Sequence, residues 1–161
     1  MNGKLTIEIS KPLHTIFFSG TTEELDAILL SDIVNDIIDK RFGQGIIPGS
    51  GRIPVILKID IEHFECRALL GSPWIFTEAN IFIPYIVMEW TYLTRKGPRK
   101  FYPTSCPVEK LRSMAQLLSR SGYRPYKEGN MRVPYKVEEA EDWAPQEAVM
   151  WVHHMAKKIG V

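Results

Sequence analysis

The sequence has little of several features that would assign it to a special class of protein. Only two of its 161 residues are cysteines, and neither belongs to a CxxC pair, so we expect two reduced, buried thiols. No apolar run reaches the roughly 18 residues that a membrane-spanning helix needs. The first ten residues, MNGKLTIEIS, lack the regions of a secretion signal. We therefore expect a cytoplasmic protein without a membrane segment.

The composition is typical of an ordinary globular domain. Hydrophobic residues make up 45% of the chain and charged residues 24%, with a net charge of +1. The length suits one hydrophobic core, and no repeat, low-complexity segment or linker divides the chain. We expect a single domain over residues 1–161.

Three helices are predicted from apolar residues at helical spacing. The first begins at a capping box of Thr21 and Glu24 and ends near Gly43. The second begins at Ser105, ends at Gly122 and has an apolar face of Val108, Leu111, Ala115 and Leu118. The third begins at Asp142, is anchored by Trp143 and Trp151, and has an apolar face of Ala148, Val152, Met155 and Ile159.

Strands are predicted before and between these helices, mainly over 4–9, over 53–70 as one long strand or two joined strands, and over 80–94. The segment 86–102 has the pattern of a hairpin with TRKGPRK at its tip. Pro84 cannot donate to a β-ladder, so it marks a bulge or an edge strand, and an exposed edge would favour oligomers. Together these elements predict an α+β fold: a mostly antiparallel sheet of about five to six strands, packed by about three helices.

Positive charge is concentrated in one segment of the chain. Residues 91–136 contain eleven Lys and Arg against two Glu, a net charge of +9, while the rest of the chain is acidic. Aromatic residues alternate with these cations. Cations neutralise phosphates and aromatic rings stack on unpaired bases, so this combination is typical of a protein that binds single-stranded nucleic acid.

The first hypothesis is therefore a non-enzymatic binding protein whose segment 91–136 contacts DNA, RNA or a phosphorylated nucleotide. Its phosphate-binding cations would be Arg95, Lys96, Arg99, Lys100, Arg112, Arg120 and Arg124. Its stacking rings would be Tyr92, Tyr102, Tyr123 and Tyr126. No cofactor or metal ion is expected for this activity.

Two other interpretations of the charge pattern are open. The cations could form a solvated face or be neutralised by the acidic run EEAED at 138–142. Alternatively, the protein could be a regulatory adaptor that binds an acidic protein partner or forms a homo-oligomer.

A third hypothesis is a metal-dependent nuclease or hydrolase centred on Asp60, Glu62 and His63. On a strand, Asp60 and Glu62 would share one face, and the segment 60–67 would otherwise form a salt-bridge ladder on the solvent side of the sheet. His153 and His154 would diverge by about 100° on a helix, so they predict no shared metal ion. We expect a binding protein rather than an enzyme.

Overall fold

The computed structural model describes residues 5–9, 17–18, 21–22, 29–42, 52–61, 64–77, 81–90, 93, 106–127, 129–143 and 148–156. The helices are α1 (Leu30–Phe42), α2 (Glu65–Gly71) and α3 (Val108–Arg120), with short 3₁₀ helices at Pro73–Phe76 and Val137–Asp142. The strands are β1 (Leu5–Ile9), β2 (Phe17–Phe18), β3 (Thr21–Thr22), β4 (Ile53–Ile59), β5 (Ile81–Glu89), β6 (Tyr123–Lys127), β7 (Asn130–Pro134) and β8 (Ala148–His153).

Six of the described strands form one mixed sheet in the order β1-β4-β5-β8-β6-β7. The first three neighbours run parallel, and the remaining three pairings are antiparallel. Strands β2 and β3 form a separate antiparallel pair. The α+β class and the mostly antiparallel sheet predicted from the sequence are confirmed.

The three α-helices form a layer on one face of this sheet. The connections β1-α1-β4 and β4-α2-β5 join adjacent parallel strands, and such crossovers are right-handed, so both helices lie on the same side. The backbone amide of Ser31 in α1 donates to Ser72 Oγ after α2 at 3.2 Å. A disulfide between Cys66 and Cys106 ties α2 to the start of α3. The prediction of two free thiols is wrong, because the fold brings their Cα atoms to 5.8 Å, within disulfide reach.

The hydrophobic core lies between this helix layer and the sheet. Along β4 every second residue, from Ile53 to Ile59, is buried and its neighbours are half-buried. Apolar side chains of α3, among them Leu111, Met114 and Leu118, are fully buried against that face. Three tryptophans close one end of the core, with Trp90, Trp143 and Trp151 ring centroids 4.8–6.0 Å apart. The core therefore lies on one side of the sheet.

Pro84 lies within the sheet rather than at its edge. Strand β5 has neighbours on both sides, and Pro84 is buried. The register passes from Pro54↔Phe82 to Ile56↔Tyr85, so Ile83 and Pro84 together face one residue of β4. This is a β-bulge, where the ladder is interrupted and a proline, which has no N–H to donate, is tolerated. Of the two predictions for Pro84, the bulge is confirmed and the exposed edge is wrong.

Helix α3 agrees with its prediction, whereas two other predicted elements differ. Its predicted apolar residues Leu111, Ala115 and Leu118 are buried, and Gly122 follows its end with a φ of +91°. The segment predicted as one long strand or two joined strands over 53–70 is β4 followed by helix α2. The predicted third helix is strand β8, although its anchor Trp151 is buried as expected.

The predicted first helix and the hairpin also need correction. Helix α1 begins at Leu30 rather than after a capping box, because Thr21 belongs to β3, and Glu24 lies outside the described residues. Residues 86–88 are paired with β4 on one side and β8 on the other, so no hairpin return strand can pair with them. The proposed tip at 94–100 lies outside the described residues.

Candidate nucleic-acid interface

Five of the eleven predicted binding residues lie in the described part of the chain. The other six, Tyr92, Arg95, Lys96, Arg99, Lys100 and Tyr102, lie outside it. Helix α3 carries Arg112 and Arg120, and strand β6 carries Tyr123, Arg124 and Tyr126. These five residues divide among the core and two separate surfaces.

Tyr123 belongs to the core. Its side chain is 4% exposed, and its hydroxyl donates to the Ile83 carbonyl at the bulge of β5 at 2.6 Å. The rings of Phe76 and His153 contact it edge to face. Burial raises the pKa of the Tyr123 hydroxyl far above its ordinary value. A ring enclosed in this way has no face that a base could stack on.

Arg124 and Tyr126 lie side by side on the opposite face of the sheet. Successive residues of a strand point to opposite faces, so these two side chains point away from Tyr123 and the core. Arg124 pairs with Val152 of β8, and Tyr126 pairs with Met150. Arg124 is exposed and the other three side chains are half-buried, so a cation and an aromatic ring lie beside two apolar side chains on one surface.

Two cross-strand rows extend this surface, which we call the outer sheet face. It consists of Ile56, Lys58, Tyr85, Val87, Met150, Val152, Arg124 and Tyr126. All of these are half-buried except the exposed Arg124. No helix among the described elements lies on this face, because α1, α2 and α3 occupy the other. The next cross-strand row contains Glu89, which carries a negative charge. The first two rows therefore form a surface with neutral and cationic side chains only.

The β6–β7 hairpin adds exposed residues beside this face. Lys127 and Arg132 are both exposed, and Gly129 makes the turn between the strands with a φ of +72°. Met131 and Val133 are 56% and 75% exposed. The edge of the sheet next to Tyr126 is therefore positively charged and partly apolar.

Arg112 and Arg120 lie on α3, in the layer that covers the inner face. Arg112 forms a bidentate ion pair with Glu141, whose carboxylate is buried. This hydrogen bond raises the pKa of Arg112. Lys136 pairs with Glu139 at 2.9 Å. The acidic run 138–142 thus neutralises two cations of the basic segment, as one interpretation of the sequence anticipated.

The carboxylate segment 60–67 does not form the predicted strand face. Asp60 follows the end of β4, and residues 65–71 are helical, so the alternation that defined the salt-bridge ladder is absent. Glu62 and His63 lie outside the described residues. Among the residues that the structure describes, no three metal-binding side chains come together. Glu65, predicted as part of a solvent-facing salt-bridge ladder, is instead buried and accepts from the Ile61 amide at 3.2 Å.

His153 and His154 form a stacked pair that the sequence did not predict. They lie at the end of β8, where the ring centroids are 4.4 Å apart. His154 donates its backbone amide to the Gly122 carbonyl at 3.0 Å. Burial first, and then the neighbouring charge of His154, lowers the pKa of His153. A helix would place the two rings apart and a continuous strand would place them on opposite faces; they stack here because His154 lies in the turn that follows β8.

The described residues have an α+β fold with a cation and an aromatic ring on the outer sheet face. Within the described ranges, no helix has the length and apolar character required to cross a membrane. Comparisons with protein-family models, curated proteins and solved structures found no significant match. Any functional conclusion therefore depends on the residues themselves.

Proposed function

We propose that this protein is a non-enzymatic binding protein that holds single-stranded nucleic acid on its outer sheet face. The observation that supports this proposal is the adjacency of Arg124 and Tyr126 on a sheet face that carries no described helix. Both residues were predicted as nucleic-acid contacts from the sequence alone. Sheets that present aromatic rings to solvent commonly bind unpaired bases.

Each residue would have a distinct part in binding. Tyr126 would stack on a base, with Met150 beside it as an apolar support, and such stacking contributes about 1–3 kcal/mol per base. Arg124 would contact a phosphate and release its counterion. Arg132, exposed on the neighbouring strand β7, adds a further cation beside this face. The predicted cations and rings at 92–102 remain part of the proposal.

Fluorescence anisotropy with labelled 12-nucleotide RNA and DNA strands at two salt concentrations tests the proposal. We expect Tyr126→Ala to weaken binding by about 5- to 150-fold, and Tyr126→Phe to leave it nearly unchanged. Arg124→Ala should weaken binding and reduce the salt dependence by one phosphate contact, a slope change of about 0.7.

Lys110→Ala is the matched control for Arg124→Ala, because Lys110 is an exposed cation on α3, in the opposite layer. It should leave the affinity close to that of the wild type. The proposal is rejected if neither strand binds at low salt, or if Lys110→Ala and Arg124→Ala weaken binding equally.

The second hypothesis, an adaptor that binds a protein partner or another copy of itself, is favoured by a different observation. Strand β7 is at the edge of the described sheet, and its Met131 and Val133 side chains are largely exposed. Exposed edge strands with apolar side chains pair readily with other chains. Light scattering of the wild type and of Val133→Lys tests self-association. A monomeric wild type removes the oligomer from consideration.

The disulfide bears on the predicted cytoplasmic location. Disulfides are rare in reducing compartments, whereas Cys66 and Cys106 are joined here. A cytoplasmic location remains a proposal, and alkylation of the two cysteines before cell lysis, followed by mass spectrometry, tests it. Free thiols in cells would support the cytoplasm.

A further inference from the structure

A groove separates α3 from the 3₁₀ helix at Val137–Asp142. Its volume is about 450 Å³, within the range of small-molecule sites. One wall is the exposed side of α3, and the other is the start of the 3₁₀ helix. The lining residues are Arg112, Gln116, Ser119, Arg120, Val137 and Glu138.

The α3 wall is a set of hydrogen-bond donors. Its members stand at positions i, i+4, i+7 and i+8, which lie along one side of a helix. Two guanidinium groups, an amide and a hydroxyl can together satisfy the three terminal oxygens of a phosphate ester, which exceeds what a carboxylate requires. The set therefore favours phosphate.

Glu141 fixes one of these donors. Its buried carboxylate binds Arg112 through Nε and through Nη2, the latter at 2.6 Å. This leaves the donors of Nη1 and the second Nη2 hydrogen for a ligand. Because the guanidinium is already held, a ligand does not have to immobilise a free side chain, which lowers the entropic cost of binding.

The opposite wall has the opposite charge. Glu138 lines the groove next to Val137, so a ligand that carries only negative charge would be repelled on this side. A ligand with a cationic group a few bonds from its phosphate would satisfy both walls. The groove thus has the charge pattern of a zwitterionic phosphate ester.

We propose that this groove binds a small phosphate ester that also carries an ammonium group. The phosphate contacts Arg112, Gln116, Ser119 and Arg120, and the ammonium contacts Glu138. This site is independent of the proposed nucleic-acid interface, since the two surfaces belong to opposite layers. Arg112 and Arg120, which were predicted from the sequence to contact nucleic acid, both line this groove.

Isothermal titration calorimetry with phosphoethanolamine and with ethyl phosphate tests the proposal, since these probes differ only in the ammonium group. We expect phosphoethanolamine to bind more tightly. Arg120→Ala should weaken both by about 10- to 150-fold. Glu138→Gln should weaken phosphoethanolamine by about 2- to 5-fold and should not weaken ethyl phosphate.

Two control variants separate this site from other cationic surfaces. Lys110→Ala removes an exposed cation from α3 outside the groove, and Arg124→Ala removes one from the outer sheet face. Neither should change the affinity for phosphoethanolamine. Equal losses from Lys110→Ala and Arg120→Ala, or no binding of either probe to the wild type, would overturn the proposal.

A lipid headgroup offers the same chemistry as the free ester. Sedimentation with vesicles of phosphatidylethanolamine and phosphatidylcholine distinguishes the two sources. We expect no more protein to sediment with vesicles that contain phosphatidylethanolamine than with vesicles of phosphatidylcholine alone. Vesicle binding without binding of free phosphoethanolamine would contradict a small soluble ligand.

Discussion

Replacing Tyr123 by Phe removes one buried hydroxyl and leaves the ring in place. The lost hydrogen bond joins that hydroxyl to the Ile83 carbonyl, at the bulge where the regular β-ladder is interrupted. A buried carbonyl that loses its partner retains its desolvation cost, so we expect the free energy of unfolding to fall by about 1–2 kcal/mol. With a urea m-value of about 2 kcal/mol/M, the midpoint should fall by about 0.5–1 M.

Tyr126→Phe is the matched control, because it makes the same chemical change on the half-buried side of the same strand. Its unfolding free energy should stay within about 0.5 kcal/mol of the wild type. Urea unfolding followed by tryptophan fluorescence measures both variants, and anisotropy measures their nucleic-acid affinity. Equal midpoints for the two variants would refute the core assignment of Tyr123, as would a loss of affinity in Tyr123→Phe without a loss of stability.

Three further predictions concern residues that hold the elements together. Cys66→Ser should lower the free energy of unfolding by about 4 kcal/mol, as expected for the loss of a disulfide between residues 40 apart. Unfolding of the wild type in the presence of a reductant should show a similar loss. Gly122→Ala should lower the free energy of unfolding by about 1–3 kcal/mol, which is more than the loss from Gly129→Ala. Both glycines have a positive φ, but only at Gly122 would a Cβ meet a side chain, with His154 Nδ1 at 2.6 Å. Equal losses of the two variants in thermal unfolding would contradict this. The folded-state pKa of His153 is lowered from 6.5, so on acidification the unfolded chain binds the proton before the folded chain does. The free energy of unfolding should therefore fall as the pH decreases below about 6.5. His153→Phe should flatten this part of the curve of melting temperature against pH.

Helix α3 was predictable because its sequence pattern and its environment agree. The apolar residues recur every three to four positions over thirteen residues, and one side of the helix packs on the sheet while the other faces solvent. Gly122 adds a clear end signal, since its φ of +91° is a conformation that glycine adopts readily. Pattern, length and cap all point to the same element.

Strand β8 was mistaken for a helix because two periodicities coexist in its sequence. Ala148 and Val152 are four apart, which suggested a helical face, but Val149 and Trp151 alternate with half-buried neighbours, as in a strand. The strand is central, so residues on both of its faces are largely apolar and the contrast between the two periods is weak. Long-range pairing with β5 and β6 decides the outcome, and a single sequence does not contain that information.

Helix α2 shows the opposite error for a similar reason. Seven residues make only two turns, too few for a helical period to stand out from a run that is apolar on either interpretation. The prediction of the binding site was limited by the same errors in secondary structure. No strand was predicted over residues 123–127, so Tyr123 was grouped with Arg124 and Tyr126, although the alternation of side chains along β6 places it on the core face.

The position of β8 between β5 and β6 has a consequence for the order of folding. Ribosomes release the chain from its amino end, so the parallel group β1-β4-β5 and the hairpin β6-β7 emerge before the strand that hydrogen-bonds them together. Until residues 148–153 leave the exit tunnel, β5 and β6 each present an unsatisfied backbone edge, which is where nascent chains associate with one another. Completion of this domain is therefore a late, long-range event, and its folding should be slow compared with that of helical proteins of the same length.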